Sequence, residues 1–345
     1  MLNFVNNVNA FWNWFQHNHN RLSEFMWHKD TNNILAEISP ELDKVFNGIP
    51  FQVGGKYGEI NLMLSPEGDM NRLLLARYWK EQAPQIQGWA FFHLKQPSES
   101  LEFGIRMNNG VDINLDDFDI LATPNVQSRR IDIEIFCKKL LKLDRESQFN
   151  IAFLMIDECL GEGYTETTIG NIDIARKDKK GMIPLKTILS MVTKTFKENG
   201  WELFESPDKV YSGYQLQPNQ SDNKKRDDIL FGSTSYINII NDYFNGNSRN
   251  YDYVRSVGAE YMFIKYNHEH IQFEEKVVFR GEIEDTLEPL LQEHKLGYLI
   301  GGATGIAYSY IDVIIFDADR FNDLIGGLAK KFKIEFECVP FRDLI

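Results

Sequence analysis

Cysteine is scarce: Cys137, Cys159 and Cys338 are the only three in 345 residues. An odd count with no CxxC pair excludes a disulfide framework and a cysteine-based metal knuckle. Free thiols in a reducing compartment are the expectation. Positive charge is also in deficit. Lys and Arg sum to 37 against 50 Asp and Glu, a formal net charge of −13. A chain that tracks phosphates needs a basic stripe, so no nucleic-acid partner is expected. An anionic membrane surface is disfavoured for the same reason. No stretch approaches the ~18 consecutive apolar residues of a membrane span. No Lys or Arg precedes Arg21, and Asn6, Asn7, Asn9 and Asn13 interrupt the opening apolar stretch, so no secretory leader is expected. These absences together predict a soluble, cytoplasmic protein. GxSxG and HExxH motifs are missing, and no cysteine has an obvious neighbouring histidine. No catalytic residue, metal or cofactor is therefore assigned.

Aromatic side chains are abundant: 25 Phe, 14 Tyr and 6 Trp make up 13% of the chain. A hydrophobic fraction of 43% supports real cores. At roughly 150 residues per domain, the length suggests two. Residues 3–28 read as an amphipathic helix, with Phe4, Val8, Phe11, Phe15, Leu22 and Met26 on one stripe. A second helix spans 31–46, with Pro40 a possible break. Strand 58–65, helix 69–83 and strand 88–95 follow. Strands 111–115, 118–122 and 130–137, helix 146–160, strand 171–176, helix 184–199 and strand 201–205 complete the first half. Asn108-Asn109-Gly110 is a turn signal. Residues 206–234 read as a flexible loop or linker, because Gln217 to Asp228 offers no apolar residue to a core. A short helix at 235–244 and a strand at 258–266 follow it.

The last 70 residues read as strand 275–283, helix 285–295, strand 297–301, a glycine-rich turn, strand 307–316, helix 318–332 and strand 334–339. That order, βαββαβ, is the split βαβ or ferredoxin-like arrangement. The fold class is therefore α+β, with two α/β-sandwich units, the C-terminal one ferredoxin-like and the first preceded by two helices. The domains are 1–205, 206–234 as the loop or linker, and 235–345.

Three stretches resemble an uncharacterised bacterial family of unknown function: Phe11-Trp12-Asn13-Trp14-Phe15, Ala83-Pro84 with Gly88-Trp89, and Gly301-Gly302-Ala303-Thr304-Gly305 leading into Tyr310-Ile311-Asp312. The likeness is spread over most of the chain. It implies no activity, cofactor or catalytic residue.

The Gly301–Gly305 run lies between two expected strands, so a hairpin turn explains it better than a phosphate loop, which needs a helix N-terminus. On the strand after it, Ile311, Val313 and Ile315 fall on one face, under the helices. Tyr308, Tyr310, Asp312, Ile314 and Phe316 fall on the other. An acid among aromatics must be solvated, paired or hydrogen-bonded, and Arg280 on a neighbouring strand is its expected partner. Arg280, Tyr308, Tyr310, Asp312 and Gly302 are thus the candidate ligand or partner contacts. His17, His19, His28, His268 and His270 lack metal-ligand spacing and read as solvated. Asp157, Glu158, Glu162 and Glu166 read as a solvated acidic edge. Glu282, Glu284 and Asp285 read as compensation at a helix N-terminus.

The favoured function is a non-catalytic protein-binding or regulatory module, neutralising a basic protein partner through complementary charge. A homo-oligomer through the aromatic sheet face is a further option. The alternative is an enzyme or small-molecule binder with a cleft between the halves, walled by Arg280, Asp312 and Tyr310 with Trp89 or Trp14.

Overall fold

The computed structural model describes residues 3–56, 58–107, 110, 112–218 and 226–344. Asn108 and Asn109 of the expected turn, and 219–225 of the expected loop, lie outside the described residues. The fold is mixed α+β, with ten α-helices and four sheets among the described residues. Helices α1 (Phe4–Trp27) and α2 (Thr31–Phe46) open the chain. Asn3 caps α1 by accepting from the Val5 amide at 2.9 Å, and Asp30 caps α2 at Asn33 N, 3.3 Å away. Such side-chain acceptors satisfy amides that a helix start leaves orphaned. Pro40 lies inside α2, which runs through it unbroken.

A three-stranded sheet follows. β1 (Phe51–Lys56) and β2 (Glu59–Leu64) form an antiparallel pair, α3 (Met70–Glu81) crosses over, and β3 (Trp89–Phe92) returns parallel to β2. After a small hairpin, β4 (Gly104–Arg106) with β5 (Asp112–Asn114), comes a second unit. It comprises β6 (Asp119–Asn125), β7 (Arg130–Phe136), α4 (Arg145–Leu160), α5 (Glu162–Thr168), β8 (Ile169–Ile174), β9 (Ile183–Pro184) and α6 (Ile188–Asn199). Its strands lie in the order β8-β7-β6-β9. Ile131, Ile133 and Ile135 alternate into a core with Met155 and Ile156 of α4 and Val192 and Phe196 of α6. Gly200 stops α6 in the left-handed conformation, at φ 66°, where glycine carries no Cβ penalty. Residues 201–205, expected as a strand, form none.

The remaining elements are β10 (Ser212–Gln215), β11 (Ile229–Thr234), α7 (Ile237–Asn245), α8 (Arg249–Ser256), β12 (Glu260–Asn267), α9 (Phe273–Glu293), β13 (Gly297–Gly305), β14 (Tyr308–Ile315), α10 (Ala318–Phe332) and β15 (Glu337–Pro340). The six strands form one antiparallel sheet in the order β10-β11-β13-β14-β12-β15. Two of them, β10 and β11, lie within the segment expected as a loop.

Three expectations are corrected here. Residues 275–283 are helix, not strand, and the expected helix 285–295 largely continues the same α9. Its buried positions Lys276, Arg280, Ile283, Leu287 and Leu291 keep helical spacing, but the first two are charged, while Val277 and Val278 point outward. An apolar-period reading therefore misses it. The strand that precedes α9 is β12. Finally, Gly301–Gly305 belongs to β13, paired with β11 and β14, and the chain turns at residues 306 and 307.

The sheet is covered on both faces. Ile311, Val313 and Ile315 pack under α9 and α10 with Ile283, Leu287, Phe321 and Ile325. Tyr310, Ile314 and Phe316 face the other way, into a core shared with α1, α2, α3, α7 and α8. That aromatic face is thus covered by the chain itself. Trp79 of α3 is fully buried there, 4.5 Å from the Trp12 ring, and the Trp12 indole donates to Trp79 O at 2.9 Å. Trp79→Ala should cost about 3–5 kcal/mol, measured by urea denaturation. A loss below about 1 kcal/mol would show that the aromatic core re-forms around the gap.

Candidate functional site

Asp312 is paired, but not with Arg280. Arg226, from the turn before β11, donates from Nη1 to Asp312 Oδ1 at 2.7 Å and from Nη2 to Oδ2 at 3.2 Å. Their side chains are 1% and 0% exposed. The guanidinium carbon lies 4.8, 4.7 and 5.1 Å from the ring centroids of Phe263, Tyr310 and Phe341, within cation–π range. Burial pulls Arg226 down, but the Asp312 carboxylate outweighs it and holds the guanidinium above its ordinary value. Arg280 sits on α9, donating to Thr304 Oγ1 at 3.2 Å and pairing with Glu284 at 3.1 Å.

Two residues beyond Arg226, Asp228 accepts the Tyr310 hydroxyl at 2.5 Å and the amides of Ala307 and Tyr308 at 3.0 and 3.1 Å. Burial and this hydrogen bond push the Tyr310 phenol above its ordinary range. From the other side, His268 bonds Ser309 Oγ at 2.7 Å and Ile306 O at 3.1 Å, and Lys276 donates to Ile306 O at 2.8 Å. His268 is fully buried, which corrects its reading as solvated. Tyr308 lies at the margin, under the Lys265 ammonium at 4.1 Å. Tyr310 and Asp312 therefore belong to a closed, buried network, in which Arg226 Nε has no hydrogen-bond partner among the described residues.

The open feature lies elsewhere. A cleft of about 310 Å³ is walled by Leu74 and Arg77 of α3, Asp208 and Tyr211 of the turn before β10, Ser233 of β11, and Glu284, Asp285 and Glu288 of α9. Gly301 and Gly302 of β13 line it too. At its inner end the Arg77 guanidinium lies 4.0 Å over the Tyr298 ring and pairs with Glu81 at 2.9 Å and Asp208 at 2.7 Å. Tyr298 closes that ring by donating to Glu81 Oε2 at 2.7 Å.

Glu284 is the partly buried acid of this wall. Its Oε1 is closed to solvent and lies 3.1 Å from Arg280 Nε, an ion pair outside hydrogen-bond geometry. Burial pushes its carboxyl up to about 7 against the pull of Arg280. A Cβ on residue 302 would come within 2.4 Å of that oxygen and 2.9 Å of Tyr310 O, so glycine there makes room for the carboxylate. The structure thus brings together Gly302 and Arg280 of the five sequence candidates and separates Tyr308, Tyr310 and Asp312 from them. Trp89 donates to Ser23 Oγ at 2.9 Å, and Trp14 packs against the core, so neither forms a cleft wall. Arg77, Asp208, Tyr211 and Glu288 had no local sequence signal. Glu284 sits mid-helix, not at a helix start.

The expected acidic edge is also revised at Glu162, which is 3% exposed and accepts from Ser65 Oγ at 3.2 Å and Gly68 N at 3.3 Å. Burial, then the nearby Asp157, push it up to about 7. Among the described residues no group of three His, Cys, Asp or Glu is placed to hold a metal ion, and no helix is long and apolar enough to cross a membrane.

No family model, curated protein or solved structure matches the chain.

Removing one partner of a buried ion pair strands the other charge, so Asp312→Asn should cost about 3–5 kcal/mol, while Arg226→Met with Asp312→Leu restores most of it. Urea midpoints check both, and a near-neutral Asp312→Asn would remove the pair from the stability account. Glu162 binds its proton up to about 7 when folded and up to the ordinary 4.5 when unfolded. Its contribution is therefore full below 4.5 and is lost as pH rises through about 7. Glu162→Gln should flatten the fall of stability across that window, again by urea midpoints. An unchanged slope would assign the effect to other groups.

Proposed function

We propose that this chain is a binding protein for a small polar molecule, held in the cleft between α3, the Asp208–Tyr211 segment, α9 and β13. The observation that carries this reading is the cleft itself: a concavity of about 310 Å³ lined by charged and polar side chains from separate parts of the chain, within the size range of ligand sites. Its walls come from chain segments before, within and after residues 206–234.

The ferredoxin-like assignment of the C-terminal unit belongs to the same proposal. It is supported by the order β12-α9-β13-β14-α10-β15, with spatial neighbours β15-β12-β14-β13. Two right-handed crossovers then place α9 and α10 on one face, which is where the core under them lies. In this reading α9 serves twice, as the sheet's cover and as the acidic wall of the cleft.

A second reading, docking of a basic protein partner, rests on the net charge of −13 and on Phe273, Val277 and Val278 of α9, which are 56%, 41% and 63% exposed. Complementary charge would speed such an encounter.

A ligand-observed NMR screen with organic cations, organic anions and uncharged sugars separates the two. The cleft reading expects at least one compound to bind, and its signal to vanish in Ser233→Trp or in the rim variant Glu288→Trp, each checked for wild-type melting. No binder in the panel, or binding untouched by both variants, overturns it. Recovery of a basic protein at low salt that survives both cleft-filling changes would favour the second reading.

A further inference from the structure

We infer that the chain carries a second binding site, for a small organic phosphate, in the concavity where the chain leaves β7 and β8, with Arg145 and Arg176 as the groups that hold the phosphate. This site shares no residue with the cleft above and stands independently of that reading.

The strands β7 and β8 run parallel, with Ile135 opposite Ile174. The Ala175 amide extends the pairing by donating to Ile135 O at 2.8 Å. The segments that follow, 137–145 and 175–181, therefore emerge side by side, and α4 starts from the first of them. The crevice outside the carboxyl ends of parallel strands is where open α/β sheets place their ligands. Here it is a concavity of about 640 Å³, within the size range of ligand sites. Leu141, Phe149 and Ile174 give it apolar wall, and Arg145, Arg176 and Gln148 give it polar wall. Gln148 braces the loop against α4 by donating to Leu143 O at 2.8 Å.

Charge is inverted at this place. The two segments hold eight Lys and Arg against two Asp, in a chain whose net charge is −13. The acids around them are committed. Asp117 takes Lys139 at 2.6 Å, and Glu134 takes Lys179. Asp144 accepts the Ser147 amide at 2.9 Å and the Ser147 hydroxyl at 2.7 Å. Arg145 and Arg176 are exposed, and among the described residues neither guanidinium has an ion pair or a hydrogen bond. Arg145 lies instead 5.5 Å from the Phe149 ring centroid. It occupies the first position of α4, the end at which the helix dipole disfavours a cation. Local helix stability therefore does not account for a guanidinium there.

Asp173 is the acid that opposes an anion in this concavity. A single negative charge gains little against it, whereas a phosphate monoester, with about two charges at neutral pH, keeps a net attraction to two guanidiniums. A planar guanidinium also forks onto phosphate oxygens. The apolar wall gives the organic part of the ester a surface to cover.

Isothermal titration calorimetry of the full chain in physiological salt, with phenyl phosphate, glycerol phosphate and adenosine monophosphate against glycerol, adenosine and glutarate, tests this. At least one ester should bind at one per chain, and its uncharged parent should not. Arg145→Gln and Arg176→Gln should each weaken it about tenfold. Both side chains are exposed, so both variants should melt no lower than the wild type. Arg129→Gln makes the same charge change in the turn before β7, at the strand's opposite end, and should leave binding unchanged. No ester binding, glutarate binding as tight as that of any ester, or binding that survives both Arg145→Gln and Arg176→Gln overturns the inference. So does an equal loss in Arg129→Gln, which would make the effect one of net charge. An oligothymidylate that binds while no ester does would make the patch a surface for a nucleic-acid backbone and overturn the small-molecule site.

Discussion

The Arg226–Asp312 pair is the constraint from which the C-terminal architecture follows. A guanidinium and a carboxylate withdrawn from water are tolerated only when each meets the other in good geometry, and here the contact is bidentate, 2.7 and 3.2 Å, under three aromatic rings. Because Arg226 opens the turn before β11, its capture by β14 fixes where that strand begins. Asp228, two residues on, then ties the same turn to the hairpin between β13 and β14. The strand β11 is thereby held against β13 in one register, with Ser233 beside Gly302. Since Ser233 and Gly302 both line the cleft, the geometry of the open site depends on a closed one a strand away.

How much of this was legible in the sequence depended on where the apolar residues lay. The first two helices were readable because Phe4, Val8, Phe11 and Phe15 recur without interruption. The two-sided character of β14 was readable from strict alternation, and Asp312 was singled out because an acid breaks it. Its partner was hidden. Arg226 sits in the most polar stretch of the chain, and nothing local marks an arginine that will be carried into a core. The helix α9 was hidden for the converse reason. Its inner face begins with Lys276 and Arg280, which serve Ile306 and Glu284, while its valines face outward. Polar groups with interior tasks remove the periodicity on which a helix is recognised.

The cleft was illegible for a third reason, distance along the chain. Arg77, Asp208, Glu284 and Gly302 come from four separate segments, and no motif spans them. Gly302 was noticed, but as part of a turn. In the folded chain it is a strand residue whose missing side chain leaves space for the Glu284 carboxylate. The neutral form of that carboxyl is favoured by burial, so the same glycine that admits the group also admits the desolvation that shifts it.

The shared core has a consequence for how the protein comes into being. Phe4 lies 5.4 Å from Phe316, and Phe4 N bonds Gly258 O at 3.3 Å. The Phe4 end of the α1 stripe therefore lacks its sheet-side cover until β14 has left the ribosome. Pairings so distant in sequence close late, after the long intervening loop entropy has been overcome. In the interval, that end of α1 stands uncovered while residues 112–199 can already gather their own core. Nascent chains are thus most prone to stick to one another between completion of that middle unit and the emergence of β14.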